Sequence, residues 1–402
     1  MWLRNVAWQG LESNLWKFAV HLVTNKRTYM TFLTIFLLMM PNATAKTIGL
    51  LTLVGEIVGF LFEVPSGYIS DRIGHKNALV IARSALVLST LMYVLADSIP
   101  WFFAGAALLA IGMAFESGTT DAFMHDTLTA LKRNDQYASI IGKLRSIGFG
   151  VPIVFILLLA FVAETSFHTA FVVALVIDIV GLLATISLVK PPVEQYHVEE
   201  VGFQNITRTL REFISVGWLP FVVAGVFAAG IELGVTIGFK NPYQELLGFS
   251  IGMIGVFWAL SRALIAILLP FNGWVHDRLS FKHFLILETL IIGIGFLGIG
   301  FVANMWAVGG LFIVTTVSVH GLTAARSQYY LQFIQHSRSK ATLLSIKELL
   351  KKIVIGISGL GMGLLVSNVA FQNAYLIAGF SFVLLLVGII LFISKPRPAA
   401  GG

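Results

Sequence analysis

Cysteine is absent from this chain of 402 residues. That removes disulfides and thiolate metal sites. Charge is scarce: Asp, Glu, Lys and Arg make up 12% of residues, against roughly 25% in soluble globular chains. So few charges cannot cover an aqueous surface, and lipid must solvate most of the chain. No Walker sequence, paired carboxylates, metal cluster or nucleophile constellation is present. Neither an enzyme nor a cofactor is therefore expected, and an ATP-driven pump has no nucleotide-binding domain to work with. The first residues, MWLRNVAWQGLESN, lack an apolar core followed by a small-residue cleavage site, so no cleavable signal is expected.

What is abundant is apolar. Hydrophobic residues make up 57% of the chain, and mean hydropathy is +0.87. At roughly 20 residues per membrane crossing, twelve helices and short loops account for the length. The spacing predicts spans over Leu15–Met40, Thr47–Ser70, Asn77–Ala96, Trp101–Leu128, Tyr137–Val162, Phe167–Val189, Phe213–Phe239, Phe249–Asn272, His283–Val302, Met305–Phe333, Ala341–Val366 and Phe371–Ile393. The longest polar interval separates spans six and seven. The predicted organisation is a six-helix half over 1–190, a linker over 191–212 and a second half over 213–402. Part of the linker, VGFQNITRTLREF, has helical apolar spacing suited to a membrane surface.

The net charge is +7. Its Lys and Arg are scattered over short loops rather than gathered on one face, which argues against nucleic acid. Assigned to alternate loops, sixteen basic residues, Arg83 among them, fall on the side of the N-terminus, and only Lys46 and Lys240 fall opposite. The positive-inside rule then puts both termini in the cytoplasm.

The loop GYISDRIGHK, Gly67 to Lys76, returns in degraded form as GWVHDRLSFK, Gly273 to Lys282, 206 residues later. Further on, Gly118 aligns with Gly321 and Ala138 with Ala341, both at an offset of 203. Two halves of one build, related by an axis along the membrane normal, are the signature of a secondary transporter. Gly67 suits close helix approach. Asp71 suits a helix N-terminus. Arg72 and Lys76 can pair with acids or lipid phosphate. Such a cluster can latch the cytoplasmic ends of helices.

With these residues the chain resembles the major facilitator superfamily, whose loop between helices two and three reads G-x-L-small-D-R-x-G-R-K. Gly67, Asp71, Arg72, Gly74 and Lys76 match, while His75 replaces a basic residue. Gly273, Asp277, Arg278 and Lys282 match in the second copy, while Ser280 replaces a glycine. The resemblance covers the whole chain and implies the twelve-helix all-α fold, a gating role for this loop, a small-molecule substrate and a monomer in a bacterial inner membrane. SGTTDAFMHDTL, Ser117 to Leu128, and FEVPSG, Phe62 to Gly67, are similar to a bacterial branch whose substrates are mostly unassigned. The fourth span lacks the Arg of many proton-coupled members. Gly148-Phe149-Gly150-Val151-Pro152 is only a fragment of the antiporter motif.

Ionisable residues within spans are costly, about 2.5–3.5 kcal/mol each on insertion scales, and so mark a cavity. They are Lys26, Arg27, Glu56, Glu116, Asp121, Glu232, Arg262, His320 and Arg326. The resemblance implies that helices one, four, seven and ten line that cavity. Burial favours the neutral form of a carboxylic acid, so Glu116, Asp121, Glu232 and Glu56, in that order, are proton-carrier candidates. The cations can bind an anion or pair with these acids. Asp126 and Glu63 suit the latch, Asp178 an inter-helix contact, and His320 packing. Lys347, Glu348, Lys351 and Lys352 open the eleventh span, where long basic side chains can snorkel. The aromatic content, including 32 Phe, suits an apolar pocket. The expected function is proton-coupled efflux of an amphipathic or drug-like compound. The alternatives are proton-coupled transport of a small organic anion and, remotely, a non-transporting receptor or lipid-handling scaffold.

Overall fold

The computed structural model describes residues 2–192, 219–333 and 340–393. Most of the linker expected over 191–212 lies outside them. Every regular element among the described residues is helical.

In chain order the helices are α1 (Trp2–Thr24), α2 (Leu33–Leu38), α3 (Ala45–Ile73), α4 (His75–Val94), α5 (Ile99–Glu116), α6 (Thr119–Ala130), α7 (Tyr137–Thr165) and α8 (Phe167–Ile186). Then come α9 (Leu219–Thr236), α10 (Lys240–Leu246), α11 (Ile251–Leu268), α12 (Asn272–Arg278), α13 (Phe281–Phe301), α14 (Met305–Gly321), α15 (Thr323–Phe333), α16 (Lys340–Asn368) and α17 (Phe371–Ile393). Nine helical stretches among the described residues are long and apolar enough to cross a membrane, and two shorter apolar helices accompany them. Five segments are each made of two consecutive helices: α1 with α2, α5 with α6, α9 with α10, α11 with α12, and α14 with α15. Joining these pairs turns seventeen helices into the twelve segments expected.

Local chemistry sets the ends. Gly74 separates α3 from α4 at φ +86°, and Gly118 separates α5 from α6 at φ +74°. That left-handed region favours glycine. Ser166, Ser280 and Asn304 cap α8, α13 and α14 by accepting backbone N–H groups, the usual role of a short polar side chain at a helix start.

The chain forms two compact units. The first contains Met1–Ala43, Val54–Val198 and Ser250–Ala259; the second contains Thr44–Leu53, Glu199–Phe249 and Leu260–Gly402. In the first, α4 packs against α5 and α8, and α1 against α7 and α8. Phe18, Leu79, Phe123, Met124, Leu128 and Leu144 form one core. Tyr29, Phe32, Phe36, Tyr93, Phe102 and Phe171 form an aromatic cluster beside the first break. In the second unit α13 packs against α17 and α14, and α9 against α16. Tyr243, Phe296, Phe312, Phe371, Tyr375 and Phe382 cluster in the same way. These aromatic side chains stack on one another inside each unit rather than lining an open apolar pocket. Edge and offset contacts at such spacing add to the burial of the rings.

Candidate functional site

The breaks in segments one and ten place a guanidinium beside backbone carbonyls. In segment one, α1 stops at Thr24 and a 3-10 turn runs over Thr28–Thr31. Between them the carbonyls of Thr24 and Asn25 have lost their helical partners, and the Arg27 guanidinium donates to both, at 3.2 and 3.1 Å. Arg27 then reaches Asp178 on α8 as a two-pronged pair, at 2.9 and 2.8 Å. Thr90 on α4 donates to the same carboxylate at 2.6 Å. Asp178 is buried, and planar fork-to-carboxylate geometry is the strongest form of such a pair.

One turn before the break stands His21, fully buried. Its Nε2 lies 2.9 Å from Glu116 Oε1, and its Nδ1 lies 2.9 Å from Thr185 Oγ1. Asn25 donates to the other oxygen of Glu116. Arg83 on α4 closes the network. It donates to Asn25 Oδ1 at 3.3 Å and to Thr24 Oγ1. Arg83 is wholly buried, so it is a member of the internal network and not of a cytoplasmic loop. Lys240 is also buried, on α10. With both removed, the loop asymmetry becomes fifteen to one.

In the second unit Arg326 pairs with Glu288 on α13 through two nitrogens and donates to the Val319 carbonyl at 3.1 Å. Both side chains are buried. Glu232 on α9 is buried as well. It accepts from Thr236 Oγ1 at 3.2 Å, and its second oxygen has no hydrogen-bond partner.

The other expected cavity residues are spread more widely. Asp121 is exposed and pairs with Arg145 at 2.6 Å. His320 is exposed. Glu56, Lys26 and Arg262 are half-buried, and the Lys26 ammonium stands 4.6 Å from the Phe149 ring centre.

At the loop motif, Asp71, Arg72 and Gly67 are exposed, while Lys76 is half-buried. Arg72 lies over the Tyr68 ring at 4.5 Å. His75, the residue that departs from the family pattern, stands between two acids: its Nδ1 is 2.9 Å from Asp126 and its Nε2 is 3.9 Å from Asp71. A Cβ at Gly67 or Gly273 would meet no atom within 4 Å, so these glycines do not mediate close helix approach here. The preceding residue does the joining in both copies. Ser66 donates to the Ala114 carbonyl at 2.9 Å, and Asn272 donates to the Gly321 carbonyl at 2.7 Å. In the second copy Asp277 and Arg278 are exposed and Lys282 is half-buried.

The sequence reading missed His21, Arg83 and Glu288 as network members. One signal was available: Arg83 and Glu288 lie 205 residues apart, within the range of the repeat offsets. The third helix of each half thus carries a buried ion, with opposite charge.

Broken helices, buried ion pairs at the breaks and an internal repeat define a polytopic secondary transporter. The sequence profile described as Major Facilitator Superfamily matches residues 23–346; the chain belongs to that superfamily. Its fold is similar to that of a point mutant of the nucleoside transporter NupG, at TM-score 0.80 and 12% identity, covering 95% of this chain and 99% of the other. A bacterial homologue of the human lysosomal transporter Spinster, inward-facing and occupied, aligns at TM-score 0.71 and 15% identity over 97% and 98% of the two chains. A POT family transporter with a thioalcohol-conjugated peptide aligns at TM-score 0.71 and 13% identity over 96% of each. Comparison with curated proteins returns no match.

Proposed function

We propose that this chain moves a small solute across the membrane by alternating access, driven by protons, with Glu116 and His21 as the coupling pair. We place both termini in the cytoplasm and treat 1–190 and 213–402 as the two moving halves. The carrying observation is the hydrogen count at His21. Thr185 Oγ1 has one hydrogen, and it points to the Gly181 carbonyl, 2.7 Å away. His21 Nδ1, 2.9 Å from that same oxygen, must then be the donor. Nε2 and Glu116 Oε1 lie 2.9 Å apart, poorly aligned for a hydrogen bond, and a hydrogen on the imidazole or on the carboxyl relieves the repulsion of facing lone pairs at that distance. The pair is therefore suited to hold one dissociable proton between two groups largely withdrawn from water. Such intramembrane pairs mark proton pathways.

The ion balance bears on the solute. Arg27, Arg83 and the proton shared by His21 and Glu116 give three positive charges against the carboxylates of Glu116 and Asp178, leaving one positive. Many of the aromatics that suit an amphipathic ligand are committed to internal stacks. Together these favour a small organic anion over an amphipathic or drug-like compound. The test is uptake into proteoliposomes under an imposed pH gradient, across a panel of organic anions and amphipathic cations. Gradient-dependent movement of an anion that Glu116→Gln abolishes is the expected result. Movement of amphipathic cations alone would overturn the solute assignment. Full coupling in Glu116→Gln would overturn the proton site.

A further inference from the structure

The second unit contains a separate cavity of about 60 Å³, walled by α9, α15 and α16. Space of that size holds roughly four waters, or one carboxylate or phosphate group. Arg326, Lys347 and Lys351 face it, with Tyr330, Glu348 and Gly225. The three cations have two carboxylate partners. Arg326 pairs with Glu288; Lys347 lies 3.0 Å from one oxygen of Glu348, and Lys351 pairs with the other. Within the lining itself the two lysines share the single carboxylate of Glu348. The lysines do not reach outward as snorkelling requires: Lys347 keeps 15% of its side chain exposed, and Lys351 32%. Lys347 instead lies 4.8 Å from the centre of the Tyr330 ring.

Tyr330 supplies an independent sign. Its hydroxyl is buried and has no hydrogen-bond partner. A buried hydroxyl without a partner is costly, and native structures rarely leave one so. The position across from it is Gly225, where a Cβ would run into the hydroxyl oxygen. The small residue keeps the Tyr330 hydroxyl at the cavity wall. A donor without an acceptor, beside Arg326 and two lysines that share one carboxylate, is a setting for a ligand oxygen that accepts hydrogen bonds and carries negative charge.

We propose that this cavity binds one oxyanion group, a carboxylate or a phosphate, through Lys347, Lys351, the free face of Arg326 and the Tyr330 hydroxyl. Calling the ligand cargo rests on the transporter reading above; the binding itself does not.

The test uses the full chain, purified in detergent and in nanodiscs, with no gradient imposed. Calorimetric titration with succinate, with inorganic phosphate and with choline reads the soluble arm. Thermal stability in phosphatidylcholine nanodiscs, with and without phosphatidylglycerol, reads the lipid arm. Saturable binding of succinate or phosphate and none of choline is expected. Loss of charge-assisted contacts in the Lys347→Gln/Lys351→Gln double variant weakens it at least about tenfold. Tyr330→Phe keeps the ring and its packing and weakens binding several-fold, so the site stays testable if the double variant fails to fold. Stabilisation by phosphatidylglycerol alone, lost in the same variants, supports the site and assigns the oxyanion to a lipid headgroup. Absence of binding in both arms, or binding unchanged in the variants, overturns it. A chain that binds anions here but transports none against a pH gradient would sink the coupling reading and leave this site standing.

Discussion

Gly181 on α8 leaves the space that the Arg83 guanidinium fills. A Cβ at Gly181 would coincide with an Arg83 nitrogen and crowd the Thr24 hydroxyl. The buried cation is therefore held by packing as much as by hydrogen bonds. Gly181→Ala should force Arg83 off Asn25 and Thr24 and lower stability by about 1–3 kcal/mol, the usual cost of overpacking. Gly142→Ala on α7 is the control: its Cβ would meet nothing within 4 Å, and a helical Gly→Ala change there should be neutral or gain about 0.5–1 kcal/mol. Thermal unfolding of the two variants in detergent checks this. Equal midpoints for both would show that the Arg83 site is plastic.

Arg27 and Asp178 lie 2.8 Å apart with 10% and 4% of their side chains exposed. Removing one partner of a buried pair strands the other charge, at a cost of about 3–5 kcal/mol. Asp178→Asn should thus destabilise strongly, and so should Arg27→Gln. The double variant should recover most of the loss, because neither charge is then stranded. Unfolding midpoints of the three variants measure the coupling. Additive losses in the double variant would mean that each residue acts through other partners.

Twelve segments were legible because apolar runs and polar gaps are local features. The breaks within them were not. Asn25, Lys26 and Arg27 read as charges in the middle of one continuous helix, whereas the chain leaves the helix there and its freed carbonyls hold Arg27. Gly118 was visible as half of a repeat, but its positive φ was not. Pairings were the least legible. Arg27 and Asp178 are 151 residues apart, and no periodicity links them. Asp178 therefore looked solitary, and Arg83, a short way past a basic loop, was grouped with it. Asp121 looked equivalent to Glu116 by span position. Its helix turns it to an exposed face, where it meets Arg145. The lysines of the eleventh segment fitted a membrane-interface pattern that composition alone could not separate from a cavity wall.

The cytoplasmic loop yields a prediction about which acid matters. His75 stands 2.9 Å from Asp126 and 3.9 Å from Asp71, and Lys190 approaches the adjoining Gly74 position. If this cluster latches α3, α4 and α6, Asp126→Asn should change the transport rate more than Asp71→Asn. His75→Arg puts the family's permanent cation between the two acids and should keep the latch. Initial rates of the three variants would decide. A larger effect from Asp71→Asn would place the latch on partners other than His75.

The coupling pair makes the sharpest demand. Glu116 touches His21 and Asn25 in the interior, while Asp121, one helical turn beyond the Gly118 break, pairs with Arg145 where both are about half exposed. An exposed ion pair is worth about 0–1 kcal/mol, so loss of the Asp121–Arg145 contact should cost little. Asp121→Asn should leave accumulation within about twofold of the unmodified protein. Glu116→Gln should abolish accumulation yet preserve exchange of labelled solute at equal concentrations on both sides, because exchange needs no net proton release. His21→Gln should resemble it, since the proton is shared between the two. Thr185→Val tests the hydrogen count: it removes the acceptor for the imidazole Nδ1–H and should impair accumulation without touching Glu116. Proteoliposomes loaded for exchange and for uphill uptake separate these outcomes. If Asp121→Asn abolishes accumulation while Glu116→Gln retains it, the proton travels through the exposed pair, and the buried histidine serves packing alone.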